Sequence, residues 1–226
     1  MGRESSAGGE GIAGRGRGRL FTGIAWAVLL VGLWLWGREL TDVADGPPGG
    51  RDSAGRPLAG VRLPPAIKPL DAAARPQRVD IPAIGVQAPV IRRGLDGEGA
   101  IAPPPYEQAG VVGWYGDGVQ PGAKGTALFV GHVDTASRPA VFYNLSTLAP
   151  GEKITVARSD GMLAEFTVEE VAVYDRSGFD ADKAYGARDD ERAELRLITC
   201  GGTFDRRDKT YSANVVVSAF LTGKGP

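Results

Sequence analysis

The chain has 226 residues, with 26 basic side chains against 27 acidic ones and a net charge of -1, so it offers neither a general basic surface for nucleic acid nor a strongly acidic one. Its 34 glycines and 16 prolines commit much of the length to turns and linkers and leave room for one sizeable domain with appendages. A single cysteine rules out an intrachain disulfide, so the domain must stand on its core in either redox compartment.

Residues 1–19 are rich in Gly, Ser and Arg without an apolar period and read as a cytoplasmic tail. Residues 20–37 (LFTGIAWAVLLVGLWLWG) then run without a charge. At about 1.5 Å per residue this run spans roughly 27 Å, close to the hydrocarbon thickness of a bilayer. Arg15, Arg17 and Arg19 crowd its N-terminal flank, whereas Arg38 is followed by Glu39, Asp42 and Asp45. That bias predicts the N-terminus inside and the bulk of the chain outside, with Trp34 and Trp36 at the outer interface. A cleaved signal peptide would have a shorter apolar stretch and a small-residue cleavage site, and a core helix would be less uniformly apolar; the expectation is an uncleaved, single-pass anchor in the cell membrane. Residues 38–77 follow with prolines at 47, 48, 57, 64, 65, 69 and 76 and no sustained apolar period, the composition of a linker.

From residue 78 the chain alternates short β-like runs with Gly, Pro and Asp punctuation, at 78–81, 86–91, 126–132, 153–157, 164–173, 193–200 and 214–221. Seven or eight strands at such spacing predict a mainly β domain, a closed barrel or a sandwich. Within 164–173 the phase carried by Phe166 and Val168 passes to Val171 and Val173 across Glu169 and Glu170, which predicts a β-bulge. Helix is scarce: one turn or a short helix within 138–148, another within 180–191.

Two residues concentrate the chemistry. Cys200 is the only cysteine and His132 the only histidine, and each ends a strand-like run. A period of two puts Ala193, Leu195, Leu197 and Thr199 on one face and Glu194, Arg196, Ile198 and Cys200 on the other. The thiol is therefore out of phase with the leucines, as an accessible sulfur in a surface cleft would be and an inert core cysteine would not. A nucleophilic thiol needs a base or an electrostatic partner, and His132 is the one imidazole available. A metal site built from Cys200, His132 and Asp134 or Asp205 lacks paired Cys or His spacing, and no cofactor is expected. Asp134 reads as turn chemistry before it reads as a group orienting the imidazole.

The stretch Phe129-Val-Gly-His-Val-Asp134, followed about 68 residues after its His by Leu197-Ile-Thr-Cys-Gly-Gly202 and then by the Val-rich run 214–221, resembles the sortase family of membrane-anchored cysteine transpeptidases. The resemblance spans 78–222, and the stretch Thr199-Cys-Gly-Gly-Thr-Phe-Asp205 is most similar to the class F group of high-GC Gram-positive bacteria. It implies an eight-stranded β-barrel with short helices. It also implies a thioester acyl-enzyme on Cys200, formed by cleaving an LPxTG-like sorting signal of a secreted protein, with His132 protonating the leaving amine and an amine of peptidoglycan or envelope accepting the acyl group. The family's third role, an arginine that donates to the oxyanion, stands in better-known classes just before the last strand, where this chain reads Ser212-Ala213-Asn214. Arg206 is the expected substitute, with Arg207 and the amide of Asn214 as alternatives. A cysteine hydrolase or other peptidoglycan-modifying enzyme, and a non-catalytic tethered module that binds wall polymer, are the competing readings.

Overall fold

The computed structural model describes residues 61–71, 74–177, 180–207 and 210–226. The expected tail, the charge-free run at 20–37 and the linker as far as residue 60 lie outside the described residues. Among the described residues no helix is long and apolar enough to cross a membrane.

The first hairpin joins β1 (Pro76–Ile81) to β2 (Val86–Arg93) through a 3-10 turn at Pro82–Ile84. Gly85 closes that turn at φ 66°, a left-handed conformation that side chains resist, and its N–H donates to Pro82 O at 3.1 Å. There follow β3 (Val112–Tyr115), β4 (Gly125–Val130), β5 (Lys153–Arg158), β6 (Leu163–Asp175), the short helix α1 (Ala181–Tyr185), β7 (Ala193–Asp205) and β8 (Thr210–Gly225). The strands close in the order β1-β2-β3-β4-β7-β8-β6-β5, so no edge is left to pair with another chain. Most pairings are antiparallel, but β2 with β3 and β4 with β7 are parallel. The expected mainly β barrel of eight strands is what the chain forms. The bulge foreseen at Glu169–Glu170 is present as a register shift between Val168 and Glu170 against β8.

Inward-facing residues fill the barrel: Val79, Ile81, Phe129, Val156, Phe166, Leu195, Leu197 and Val217 are all fully buried. Burying each side chain of this size stabilises the fold by about 1.5–3 kcal/mol. A second, smaller cluster forms on the outer face, where Val130, Ile198, Val216 and Ala184 of α1 meet Ile101, Tyr174 and Tyr185. The alternation read for 193–200 is therefore real, with Leu195 and Leu197 inside and Ile198 outside.

In two places the structure departs from the sequence reading. The outer face of β7 is not a solvated polar face, since Glu194 and Arg196 are each 1% exposed. The segment 186–192 folds over them: Glu194 accepts the Arg188 and Asp189 amides at 3.0 and 3.1 Å and Arg196 Nη2 at 2.7 Å, and Arg196 Nη2 also reaches Gly186 O at 2.7 Å. A buried pair so surrounded meets the condition under which burial of charge is tolerated. The other departure concerns the Pro-rich segment before residue 78, which docks on the barrel from about residue 67. Ile67 N–H donates to Leu221 O at 3.1 Å, Leu70 N–H to Gly122 O at 2.7 Å, and Ala74 is buried. The buried guanidinium of Arg158 ties this segment down by donating to Asp71 O at 2.8 Å and to Pro121 O at 2.7 Å.

Candidate active site

Along β7 every residue from Ala193 to Thr199 is buried, and Cys200 is the first to be exposed. Its place at the rim follows from pairing on both sides. Across the antiparallel contact it stands opposite Asn214 of β8, which in turn stands opposite Tyr174 of β6. On its other side β4 runs parallel, with Val130 beside Ile198 and Gly131 N–H donating to Ile198 O at 3.1 Å. His132 follows two residues after Val130, as Cys200 follows two after Ile198. The two residues singled out in the sequence thus each end one strand of a parallel pair that the chain separates with β5 and β6.

Local chemistry holds the imidazole. A Cβ on Gly131 would lie 2.6 Å from Phe142 Cδ2 and 2.7 Å from Val141 Cγ1, so only glycine lets the chain pass under that segment. Phe142 N–H then donates to His132 O at 3.0 Å. The ring of His132 is 7% exposed and lies 2.7 Å through Nε2 from Pro104 O. A carbonyl only accepts, so Nε2 carries a hydrogen and Nδ1 is the nitrogen that can exchange a proton with the site. Tyr106 stacks on the ring with centroids 4.3 Å apart at 19°. The segment between β2 and β3 therefore roofs the histidine, a role no period in its sequence announces.

The thiol itself is not preset as a thiolate. Although the residue is exposed, the sulfur lies against enough protein that burial, the largest influence, pushes its pKa up from the usual value of 9.0. Arg176 pulls it down and Asp134 pushes it up. Asp134 does not orient the imidazole; its Oδ2 accepts from the Tyr211 hydroxyl at 2.5 Å. That bond, with burial and the Asp134 charge behind it, pushes the Tyr211 phenol up to about 12. The Tyr211 ring packs on Phe204, centroids 5.0 Å apart, which ties the chain after His132 to the β7–β8 hairpin.

Arg206 is exposed just past the end of β7, in the turn that leads to β8, and Arg207 beside it donates its amide to Asp205 Oδ1 at 2.7 Å. Arg206 comes six residues after Cys200 along the chain, beyond the register shift between Gly201 and Phe204. The pairing thus sets Asn214 opposite Cys200, while Arg206 and Arg207 lie in the turn past β7. The cation that acts on the sulfur is Arg176, which the sequence reading missed. It lies just past β6, a strand that runs on to Asp175 beyond the expected end at residue 173.

A cavity of about 480 Å³ between the β1–β2 turn and residues 138–144 is lined by neither Cys200 nor His132. Among the described residues no three His, Cys, Asp or Glu side chains converge as a metal site would require.

Comparison with known proteins bears on the family and the fold. A family model described as a sortase domain matches residues 79–222. Among solved structures the chain is similar to a sortase A from Actinomyces oris, at 17% identity and a TM-score of 0.52 over 73% of this chain and 89% of that one. It is similar also to a sortase C1 from Streptococcus suis, at 14% identity and a TM-score of 0.51 over 66% of this chain and 73% of that one. Of the Streptococcus agalactiae sortase C1, solved in complex with MTSET, the chain spans 66% of the length, at 17% identity and a TM-score of 0.49 over 65% of its own. These likenesses concern the fold. No curated protein matches by sequence.

Proposed function

The chain belongs to the sortase family of cysteine transpeptidases, and on that premise we propose that it cleaves an LPxTG-like sorting signal through a thioester on Cys200 and passes the acyl group to an amine of the cell envelope. The observation that supports this reading is the parallel register of β4 and β7, whose last pair, Val130 with Ile198, stands two residues before His132 on one strand and two before the exposed Cys200 on the other. In the proposed sequence the thiol passes its proton to Nδ1 of His132 as sulfur attacks the scissile carbonyl carbon. The C–N bond breaks, and the leaving amine takes a proton from His132, whose Nε2 is anchored by Pro104 and whose Nδ1 serves the reaction. An incoming amine then attacks the thioester carbon; the C–S bond breaks, one amine proton passes to His132 and sulfur is reprotonated.

The finer points rest on sequence. The charge-free run at 20–37 and its arginine-rich flank support a single-pass membrane protein with an extracellular catalytic domain. The stretch Thr199–Asp205 supports affinity with class F and a Gram-positive envelope.

Incubation with LPxTG-like peptides, with and without amine acceptors, tests the proposal by mass analysis. An acyl adduct on Cys200 that yields amide product when amine is added is the expected result. An adduct that only hydrolyses points to a cysteine hydrolase. No adduct, together with a thiol that alkylates only after unfolding, would leave a binding module. Cys200→Ala should abolish the adduct and, since the residue is exposed, leave the thermal midpoint within about 0.5 kcal/mol equivalent of the parent.

A further inference from the structure

An amine resolves a thioester efficiently only when it is held in place for attack, so the rest of the acceptor molecule needs somewhere to bind. We propose that the cavity between the β1–β2 turn and residues 138–144 is that place, a subsite for an amine-bearing peptide whose free carboxylate is received by Arg138. The proposal rests on the acyl-transfer reading and deepens it by giving the acceptor its chemistry.

Three observations carry it. First, the cavity lies at the barrel end that bears the thiol. Ile91, Gly113, Val130 and Ile198 form one row across β2, β3, β4 and β7. Because β2 and β3 run antiparallel to β4 and β7, the rim past that row is reached by going back along β2 and forward along β4 and β7. Ala88, in the cavity wall, comes three residues before Ile91, and His132 and Cys200 come two after Val130 and Ile198, so all three lie toward the same end. Three strand spacings part β2 from β7, roughly 14 Å along the sheet, and an extended tetrapeptide spans about 13 Å. Second, the cavity wall is built into the segment that holds the histidine. Ala140 N–H donates to Val133 O at 3.0 Å, Phe142 N–H to His132 O at 3.0 Å, and Val141 N–H to Ala109 O, on the other side of the cavity, at 2.8 Å. The exposed Tyr143 lines the cavity, and it and the thiol both act on the Tyr211 phenol, so the cavity and the sulfur flank one side chain. Third, the lining has the polarity of a carboxylate receptor. Its one charged side chain is Arg138, accompanied by the amides of Gln87 and Asn144, and among the described residues no aspartate or glutamate belongs to it. The Arg138 backbone is fixed in a turn, its carbonyl accepting from the Thr135 amide at 2.8 Å and the Thr135 hydroxyl at 3.1 Å. Its side chain is exposed and, among the described residues, pairs with no carboxylate. A planar fork of donors without a counter-ion suits the carboxylate of a ligand.

The test follows resolution of the Cys200 thioester, formed on an LPxTG-like peptide, by three acceptors that share an N-terminal alanine amine: tetra-alanine as the free acid, its C-terminal amide, and Ala-Ala-Ala-Arg amide. The full chain is compared with Arg138→Gln, Arg138→Glu and Lys124→Gln, each checked by thermal midpoint. The parent should use the acid about fivefold better than the amide in kcat/KM, with the difference lying in KM. Arg138→Gln should bring acid and amide level. Arg138→Glu should invert the order and favour the arginine amide, which a merely structural role for Arg138 would not produce. Lys124→Gln, which removes a surface pair with Glu191 at the far end of β4, should keep the parent's order. Acid and amide used alike by the parent overturn the proposal, as does a preference for the acid that survives in Arg138→Gln and Arg138→Glu. Should the parent form no thioester with any peptide, it is the transpeptidase reading that fails, and a chemical-shift titration of the parent and Arg138→Glu with tetra-alanine acid and amide still decides whether the cavity receives a carboxylate.

Discussion

Tyr211 is where a single residue reports on the site from a distance. Its hydroxyl is bound to Asp134, and its pKa stands near 12 against an ordinary 10.0. The sign follows: a phenol held protonated in the folded state stabilises it relative to the unfolded chain only until the unfolded phenol ionises. Its contribution is therefore whole below about pH 10 and is lost as pH rises toward about 12. Tyr211→Phe should flatten the fall in thermal midpoint over that window, and an unchanged slope would show the bond to be without weight. The exposure of Cys200 was legible from sequence because the period of two is local, so Cys200 falls on the face of Ile198 whatever the rest of the chain does. The proposed partnership with His132 rests on the chain offering one imidazole. That the Arg176 charge acts on the sulfur was not legible, because no pattern within 164–177 encodes what lies two strands away.

At the scale of an element, the β7–β8 hairpin carries the thiol and depends on the two glycines after it. A Cβ on Gly202, at φ 78°, would collide with the Ser212 hydroxyl and approach Ala213 Cβ at 3.0 Å, where the register between Gly201 and Phe204 shifts. Gly202→Ala should therefore destabilise the protein by about 1–3 kcal/mol and depress turnover together with it, since the strain falls two residues from Cys200. Equilibrium urea unfolding and peptide turnover on one preparation would check both halves. The bulge in β6 could be foreseen because a flip of phase is written in the sequence itself. The burial of Glu194 and Arg196 could not, since what hides them is 186–192, a charged segment whose composition reads as surface. The strand β3 escaped notice for a related reason: Val112-Gly-Trp-Tyr115 is too short to establish a period, and its place is set by parallel pairing with β2.

On the scale of the whole molecule, the barrel begins earlier than its apolar pattern. Composition alone reads 38–77 as linker, yet Ile67, Leu70 and Asp71 are bonded to β8, to Gly122 and to Arg158. A protein starting at residue 76 should accordingly be less stable than one starting at residue 61, by about 2–4 kcal/mol for the apolar contacts and buried guanidinium bonds lost. Thermal melts of the two would settle it, and equal midpoints would return this segment to the linker.

The parallel alliance of β4 with β7 has a further consequence, in time. Contacts between segments so far apart in the chain form late, because the entropy of closing the intervening length must be met before they stabilise anything. The ends of β4 and β7 therefore come into register only as the barrel closes, with β8 in place beside β7. A chain whose last strand has not yet joined the barrel lacks the pairing that holds Cys200 at the rim. Catalytic competence in refolding should appear as one late step, after the far-ultraviolet signal of the strands has largely returned.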